Sequence, residues 1–532
     1  MKARTFRPPG ATGRGAEWLG DVAWDVKRLI KSVQGDFLHN TLKLNHEDEP
    51  WISAILAEFA EDLHYGVGIW RTYEEFNRKL FKTPLPMTGG STDAEPCAVT
   101  PDRVRHLLWV LYAELNPDLT LAPNHNDLAL MAGAVAELLA SRMASAPRTS
   151  DVKTFMDAPN EHGWDIKRKL LWLGTRSYFF RTAYRNYAAE QKSGADQAAD
   201  VDQNTSEGYH NIGQTDDFIC QECTQWSGLG VTDVLAAMLP ISDERRTDLR
   251  SWDKRHAAIY RVDAIEGEIL KATNLINDQP YTVMMGDGPQ PFKLGGVIFG
   301  SLVPWGVYWY WSGVQKQFQN MSASDVSKFK TSFSVKTPHI VYRYCKDMLA
   351  KAIEANERHA QGFLKYHHGM DLVVYPDGLS MAADEQKRYR LLYETEPRQT
   401  VDRVMAEREL KHPWPEMKYP DNILNSEDGI GLYYDRQEGV DMMLGFNHVA
   451  SGFAKKGCDL TNDETGVIKE FVRSRLITPD FVRRMVQEHG DASIRSAFLL
   501  RDCGKDYALE YLLRRYKGAG FREVYPNITL VS

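Results

Sequence analysis

The amino-acid sequence predicts an α+β protein: a helical N-terminal region, a small β-barrel-like module and a mixed α/β C-terminal region. Three observations carry this. Apolar residues recur at helical spacing up to about residue 188. Four or five short alternating segments then crowd between Ala257 and Gly313, as a small barrel or a strongly bent sheet requires. Beyond residue 320 both periodicities occur.

In the first part, "EDEPWISAILAEFAEDLHYG" reads as a helix. Trp51, Ile52, Ile55, Leu56, Phe59 and Leu63 share a stripe, acidic residues stand at the front, and Gly66 follows the end. "TPDRVRHLLWVLYAEL" is another, with Thr100 as N-cap and Pro101 at the first helical position. "KRKLLWLGTRSYFFRTAYRNYAAEQ" continues the pattern as helix. "PLPMTGGSTDAEPCAVTPD" is a loop.

The segment 191–217 is polar and acidic with almost no aliphatic residues, and it reads as a flexible linker. It separates a helical region, 1–190, from 218–320, the β module with a preceding Cys-x-x-Cys segment; 321–532 is the mixed region. In the module, turns fall at "EG" and "NDQP", and two buried strands meet near "PWG". The uncharged stretch Leu294 to Gly313 is therefore read as strands and not as a membrane span, because glycines, Pro304 and a Trp/Tyr-rich second half interrupt it. Further on, the sequence predicts a long helix over 339–367, strands at "MDLVVYPDG" and "IGLYYDRQEG", helices at "EGVDMMLGFNHVASGFAKKG" and "TPDFVRRMVQEHG", and a closing strand at "FREVYPNITLVS".

Composition bounds the function. The 532 residues are 43% hydrophobic and 26% charged, as in a soluble globular protein of several domains. A net charge of −8 disfavours nucleic acid as a partner. Six scattered cysteines argue against a disulfide framework and for a reducing cytoplasm, and no apolar run follows the basic N-terminus to make it a secretory signal.

The candidate chemistry is sparse. Cys220 and Cys223 form a Cys-x-x-Cys pair, half of a zinc site; His210 and His256 do not complete a finger or ribbon spacing. The pair reads as structural thiols first, a zinc site second and a redox couple third, and no cofactor is assigned. Glu357, His359, His367, His368 and Asp371 cluster without matching a metal signature, and read as a helix end whose histidines complement its dipole. Asp459, Thr461, Asp463 and Glu470 fit a calcium loop's spacing, but Glu464 stands where glycine is needed; Thr461 to Glu464 is better read as a capping box. The aromatic run Tyr308, Trp309, Tyr310 and Trp311 is the candidate binding site. Strand alternation puts Trp309 and Trp311 on one face and Tyr308 and Tyr310 on the other. No phosphate loop, nucleophile elbow or dinucleotide fingerprint is present.

"AIYRVDAIEGEILKATNLINDQPYTV" followed by "GGVIFGSLVPWGVYWYWSG" resembles a small β module of bacterial proteins of unknown function. Some of those carry a Cys-rich zinc tail, which this chain lacks, so no metal role carries over. "YGVGIWRTYEEFNRKLFKTPLPM" and "GIGLYYDRQEGVDMMLGFNHVASGF" resemble parts of an uncharacterised bacterial domain family. The resemblance implies no activity. These readings lead to a cytoplasmic, non-enzymatic binding or interaction protein whose β module meets an unknown protein or small ligand. The alternative is a metal-dependent enzyme with dispersed His, Asp and Glu residues in the C-terminal half.

Overall fold

The computed structural model describes residues 6–526 apart from 12, 36, 38–41, 90–94, 96, 198–206, 287–291, 319–320, 337–339, 341, 344, 395–397, 408–411, 413, 415–416, 501–502 and 505. The chain divides into two compact units, 1–321 with 498–519 and 322–497 with 520–532.

The first unit opens with α1 (Gly13–Gln34), α2 (Asp48–Tyr65), α3 (Ile69–Phe81), α4 (Pro101–Leu115) and α5 (Asn126–Met143). It continues with α6 (Asp151–Asp157), α7 (Gly163–Arg176), α8 (Arg181–Gln197), α9 (Glu207–Gln221), α10 (Val231–Met238) and α11 (Asp243–Arg250). Local chemistry sets several boundaries. Asp48 and Glu49 lie in the first turn of α2, and Gly66 closes it at φ 63. Thr100 accepts a hydrogen bond from the Arg103 amide ahead of Pro101. The helix expected to run on from residue 167 is two helices. Ser177 leaves α7 in an extended conformation (ψ 152), and its Oγ accepts from the Phe180 amide at the head of α8. The stretch expected as a linker, 191–217, is helical at both described ends, as parts of α8 and α9; its middle, 198–206, lies outside the described residues.

The helical core is aromatic. Trp226 stacks on Phe179 (4.3 Å) and meets Tyr73 (5.4 Å) and Trp70 (6.1 Å) edge-on. Phe59 joins Trp70 and Tyr178. Each such side chain contributes roughly 1.5–3 kcal/mol by leaving water.

A closed five-stranded barrel follows: β1 (Ala257–Glu266), β2 (Ile269–Asn274), β3 (Pro280–Met284), β4 (Val297–Trp305) and β5 (Tyr308–Phe318). Its order is β1-β2-β3-β5-β4. All neighbours are antiparallel except β3 and β5. This is the order of an OB-type Greek-key barrel, which by itself names no ligand. The turns stand where the sequence puts them, with Gly267 at φ 64 and Gly306 at φ 64. Register shifts between Val262 and Ala264 and between Phe299 and Ser301 bend the two strands round the small circumference. Leu294 to Gly313 is thus mostly β4 and β5. Among the described residues no helix is long and apolar enough to cross a membrane.

The second unit holds α12 (Ala323–Lys336), α13 (Lys346–Tyr366), β6 (Leu372–Tyr375), α14 (Gly378–Glu394), α15 (Arg398–Glu407) and α16 (Asp421–Leu424). After these come β7 (Ile430–Asp435), β8 (Gly439–Leu444), α17 (Phe446–Ala454), α18 (Asn462–Arg473), α19 (Pro479–His489) and α20 (Ala492–Ala497). The strands form an antiparallel sheet in the order β6-β7-β8, and Phe363, Met381, Ile430 and Leu432 share a core beneath it. Two expectations are corrected. The long helix is interrupted: Ile340, Tyr342 and Arg343 are helical, but Cys345 is extended (φ −126, ψ 96), and the main helix starts at Lys346. Residues 439–444, expected as helix, pair with β7 as a strand, and Gly445 at φ 67 turns the chain into α17. The capping box of Thr461 and Glu464 and the cap of Thr478 with Pro479 stand as read. Residues 521–526 form no strand, and the rest of the expected closing strand, 527–532, lies outside the described residues.

The chain then supplies a last helix to the first unit, α21 (Ala508–Lys517). Tyr511 packs against Phe81 (5.8 Å) and Trp109 (5.9 Å). The Arg515 guanidinium lies 4.5 Å over the Trp109 ring and donates to Gln225 Oε1 (2.8 Å).

Candidate functional site

The register pairs Trp311 with Leu302 and Trp309 with Pro304, and Tyr310 with Val303 and Tyr308 with Trp305. Cross-strand partners share a face, so the four aromatics divide as alternation requires. Trp309 and Trp311 point into the barrel. There Trp309 meets Tyr281 edge-on (4.6 Å) and Trp311 meets Tyr260 (5.6 Å). Gly300 makes room: a Cβ there would stand 2.9 Å from the Trp311 ring. Both tryptophans are partly exposed, and Trp311 Nε1 is buried with no hydrogen-bond partner among the described residues.

Tyr308 and Tyr310 point outward, towards helices. Tyr310 is 3% exposed and lies 5.1 Å from Trp164, edge-on. Around it runs a polar seam. Asn160 O accepts from Arg245 Nη1 (2.7 Å) and Trp305 Nε1 (3.3 Å). The Lys169 ammonium is caged by Met156 O (2.9 Å), Ala158 O (2.5 Å) and Asn160 Oδ1 (2.5 Å), and burial pulls it down to about 8. Asp216 takes Ser312 Oγ (2.7 Å) and the Lys167 ammonium, while Arg255 Nε reaches the same Ser312 Oγ (3.0 Å).

Helices α7, α9 and α11 pack chiefly on β4 and β5. The outward face of β1, β2 and β3 stays open: Arg261, Asp263, Glu266, Lys271 and Pro280 are exposed, and Ile269, Thr273, Thr282 and Met284 partly so. Its charges neutralise one another. Arg261 pairs with Asp263 (2.8 Å) and Lys271 with Glu266 (2.7 Å), and Thr273 donates to Asp263 (2.6 Å).

Cys220 is buried in the last turn of α9, and burial pushes its thiol up to about 12, out of the reactive thiolate range. Cys223 lies just past the helix, partly exposed. Among the described residues no three His, Cys, Asp or Glu side chains are placed to hold a metal ion. In the second unit the histidine cluster disperses. Burial holds His359 down to about 4, His367 ends α13 with Nε2 3.9 Å from Glu385, and Asp371 pairs with Arg484 (3.1 Å).

A second feature escaped sequence reasoning. A narrow cleft in the helical unit is lined by Arg7, Glu58, Glu61, Asp62 and Tyr178, among others. Glu58, Glu61 and Asp62 lie on one side of α2 at i, i+3 and i+4 spacing. Asp62 accepts from the Gly68 (2.7 Å), Ile69 (3.2 Å) and Trp70 (2.8 Å) amides and from Tyr178 Oη (2.7 Å). Glu58 accepts from Arg181 Nη1 (2.6 Å). Glu61 takes Ser150 Oγ (2.7 Å) and, through both oxygens, the Arg7 fork (2.6 and 2.8 Å). Burial raises Glu58 and Asp62 above the usual carboxylate range. The legible signal was the fall of Glu58 and Asp62 within the stripe of Ile55, Phe59 and Leu63.

Residues 33–267 match a family described as "Protein of unknown function (DUF3843)". The matched stretch holds the cleft carboxylates and the cysteine pair, and ends just past β1. No curated protein and no solved structure matches the chain.

Proposed function

We propose that the chain is a binding protein without catalytic activity, and that the barrel is its recognition module. The observation that supports this is the asymmetry of the barrel. One side is sealed by helices through Tyr310 and Ser312, while the outward face of β1, β2 and β3 is left to solvent. In OB-type barrels the face of strands 2 and 3 and its adjoining loops take the ligand. Here that face carries threonines and self-neutralising ion pairs, not a row of free cations, which favours a protein segment or a small polar ligand over a polyanion.

The test is a thermal-shift panel of peptides, oligosaccharides, nucleotides and single-stranded oligonucleotides on the full chain. A peptide or saccharide should raise the Tm, and Thr282→Arg on the outer face should abolish the rise while leaving the unliganded Tm within a few degrees. A shift produced only by oligonucleotides, or one unmoved by Thr282→Arg, overturns the reading.

A further inference from the structure

We propose that the cleft on α2 is a guanidinium-recognition pocket, that Phe6 and Arg7 occupy it as an intramolecular ligand, and that an arginine-bearing peptide of a partner takes their place. The geometry is that of a peptide site. The Arg7 fork meets both oxygens of Glu61 (2.6 and 2.8 Å), an arrangement that suits a planar guanidinium and not an ammonium. The preceding residue is held as well. Trp172 Nε1 donates to Phe6 O (2.9 Å), the Phe6 ring stands edge-on to Trp51 (5.6 Å), and the Arg181 guanidinium covers it at 4.3 Å. Main chain, aromatic side chain and cation are thus each read by a separate group on the helices.

Two further observations mark the arm as a ligand and not part of the framework. Phe6 stands in a 3-10 turn and Arg7 in a bend, outside every α-helix and strand, so withdrawing them breaks no strand ladder. Beyond buried Pro8 they lead into exposed Pro9 and Gly10, where Gly10 at φ 81 has nothing within 4 Å of its Cβ position. The fit is also incomplete. Arg7 is 5% exposed, yet its Nε has no acceptor among the described residues, and Nε and Nη2 of the 1% exposed Arg181 have none either. A peptide entering from outside with an additional carbonyl or carboxylate satisfies these donors. Glu58, Glu61 and Asp62 stay in place through Arg181, Ser150, Tyr178 and the α3 amides, so the pocket keeps its shape when the arm leaves.

The experiment uses the full chain with Phe6→Gly and Arg7→Gly, which empties the pocket without shortening the arm. Calorimetry titrates it with the peptide Arg-Thr-Phe-Arg-Pro-Pro-Gly, the chain's own residues 4–10, and with the same peptide carrying Arg7→Lys. The emptied variant should bind the arginine peptide one to one, and the lysine peptide at least tenfold more weakly. The intact chain should bind the arginine peptide at least tenfold more weakly than the emptied variant, because its own arm competes. A variant with unchanged circular dichroism that binds neither peptide, or binds both alike, overturns the proposal. Should the emptied variant fail to fold, the full chain with Arg7→Lys retains the charge and has a weaker arm. It should bind the arginine peptide at least threefold more tightly than the intact chain, and equal affinities overturn the proposal.

Discussion

Gly163, the first residue of α7, lies so close to Tyr310 of β5 that a Cβ at 163 would stand 2.6 Å from the ring. The contact joins a helix start to a strand almost 150 residues later, and it leaves no room for a side chain at 163. Gly163→Ala should therefore destabilise the protein by about 1–3 kcal/mol, the usual cost of overpacking. The same substitution in a Tyr310→Ala background should cost much less. A double-mutant cycle in urea checks this, and additive costs would show that the ring and residue 163 do not meet.

Alanine at Trp311 and at Tyr310 should cost similar stability, about 3–5 kcal/mol each. One ring fills the barrel and the other lies under α7, so neither behaves as a surface aromatic. Denaturation midpoints of the two variants decide it. A Tyr310→Ala protein as stable as the parent would contradict the sealed face.

Glu114 predicts loss of stability with rising pH. Its carboxyl is 2% exposed, neither oxygen has a hydrogen-bond partner among the described residues, and burial raises it to about 8 from 4.5. The folded chain therefore keeps a proton that the unfolded chain releases, and stability falls as pH rises from about 4.5 to about 8. Glu114→Gln should remove that slope. Relative to the parent it should gain on the order of 3 kcal/mol at pH 8 and nothing at pH 4. Urea titrations of both proteins across this range provide the comparison.

His106 works in the opposite sense. Buried between Tyr73 Oη (2.6 Å) and Thr88 Oγ1 (2.8 Å), it is held down to about 3, first by burial and then by Arg515 and Arg105. Unfolding takes up its proton, so its share of stability is present above pH 6.5 and drains as pH falls towards 3. His106→Gln should show a shallower acid limb between pH 6 and pH 4, by up to one proton. Parallel slopes for the two proteins would place His106 in water.

What the sequence disclosed follows the range of the interactions involved. Thr100 with Pro101, Thr461 with Glu464 and Thr478 with Pro479 cap their helices through neighbours three residues away, so their chemistry is written locally. The barrel was legible because alternation and the turns at Gly267 and Gly306 are local as well. Residues 439–444 misled because "VDMML" suits either period, and only the ladder with β7 decides. The cleft depends on Arg7 and Arg181 reaching Glu61 and Glu58 across 54 and 123 residues, a separation no spacing rule spans. The same holds for the seam, where Lys167, Asp216 and Ser312 meet from three distant segments.

The return of α21 to the first unit sets a schedule for synthesis. Phe81, Trp109 and Gln225 are made early, but Tyr511 and Arg515, which cover them, leave the ribosome only after residues 322–497 have been translated. At about 5–20 residues per second, that is a delay of roughly 9–35 s. During it the nascent helical unit presents an uncovered aromatic flank. A chain stalled or truncated before residue 508 would carry that flank permanently, as a surface for chaperones or for aggregation.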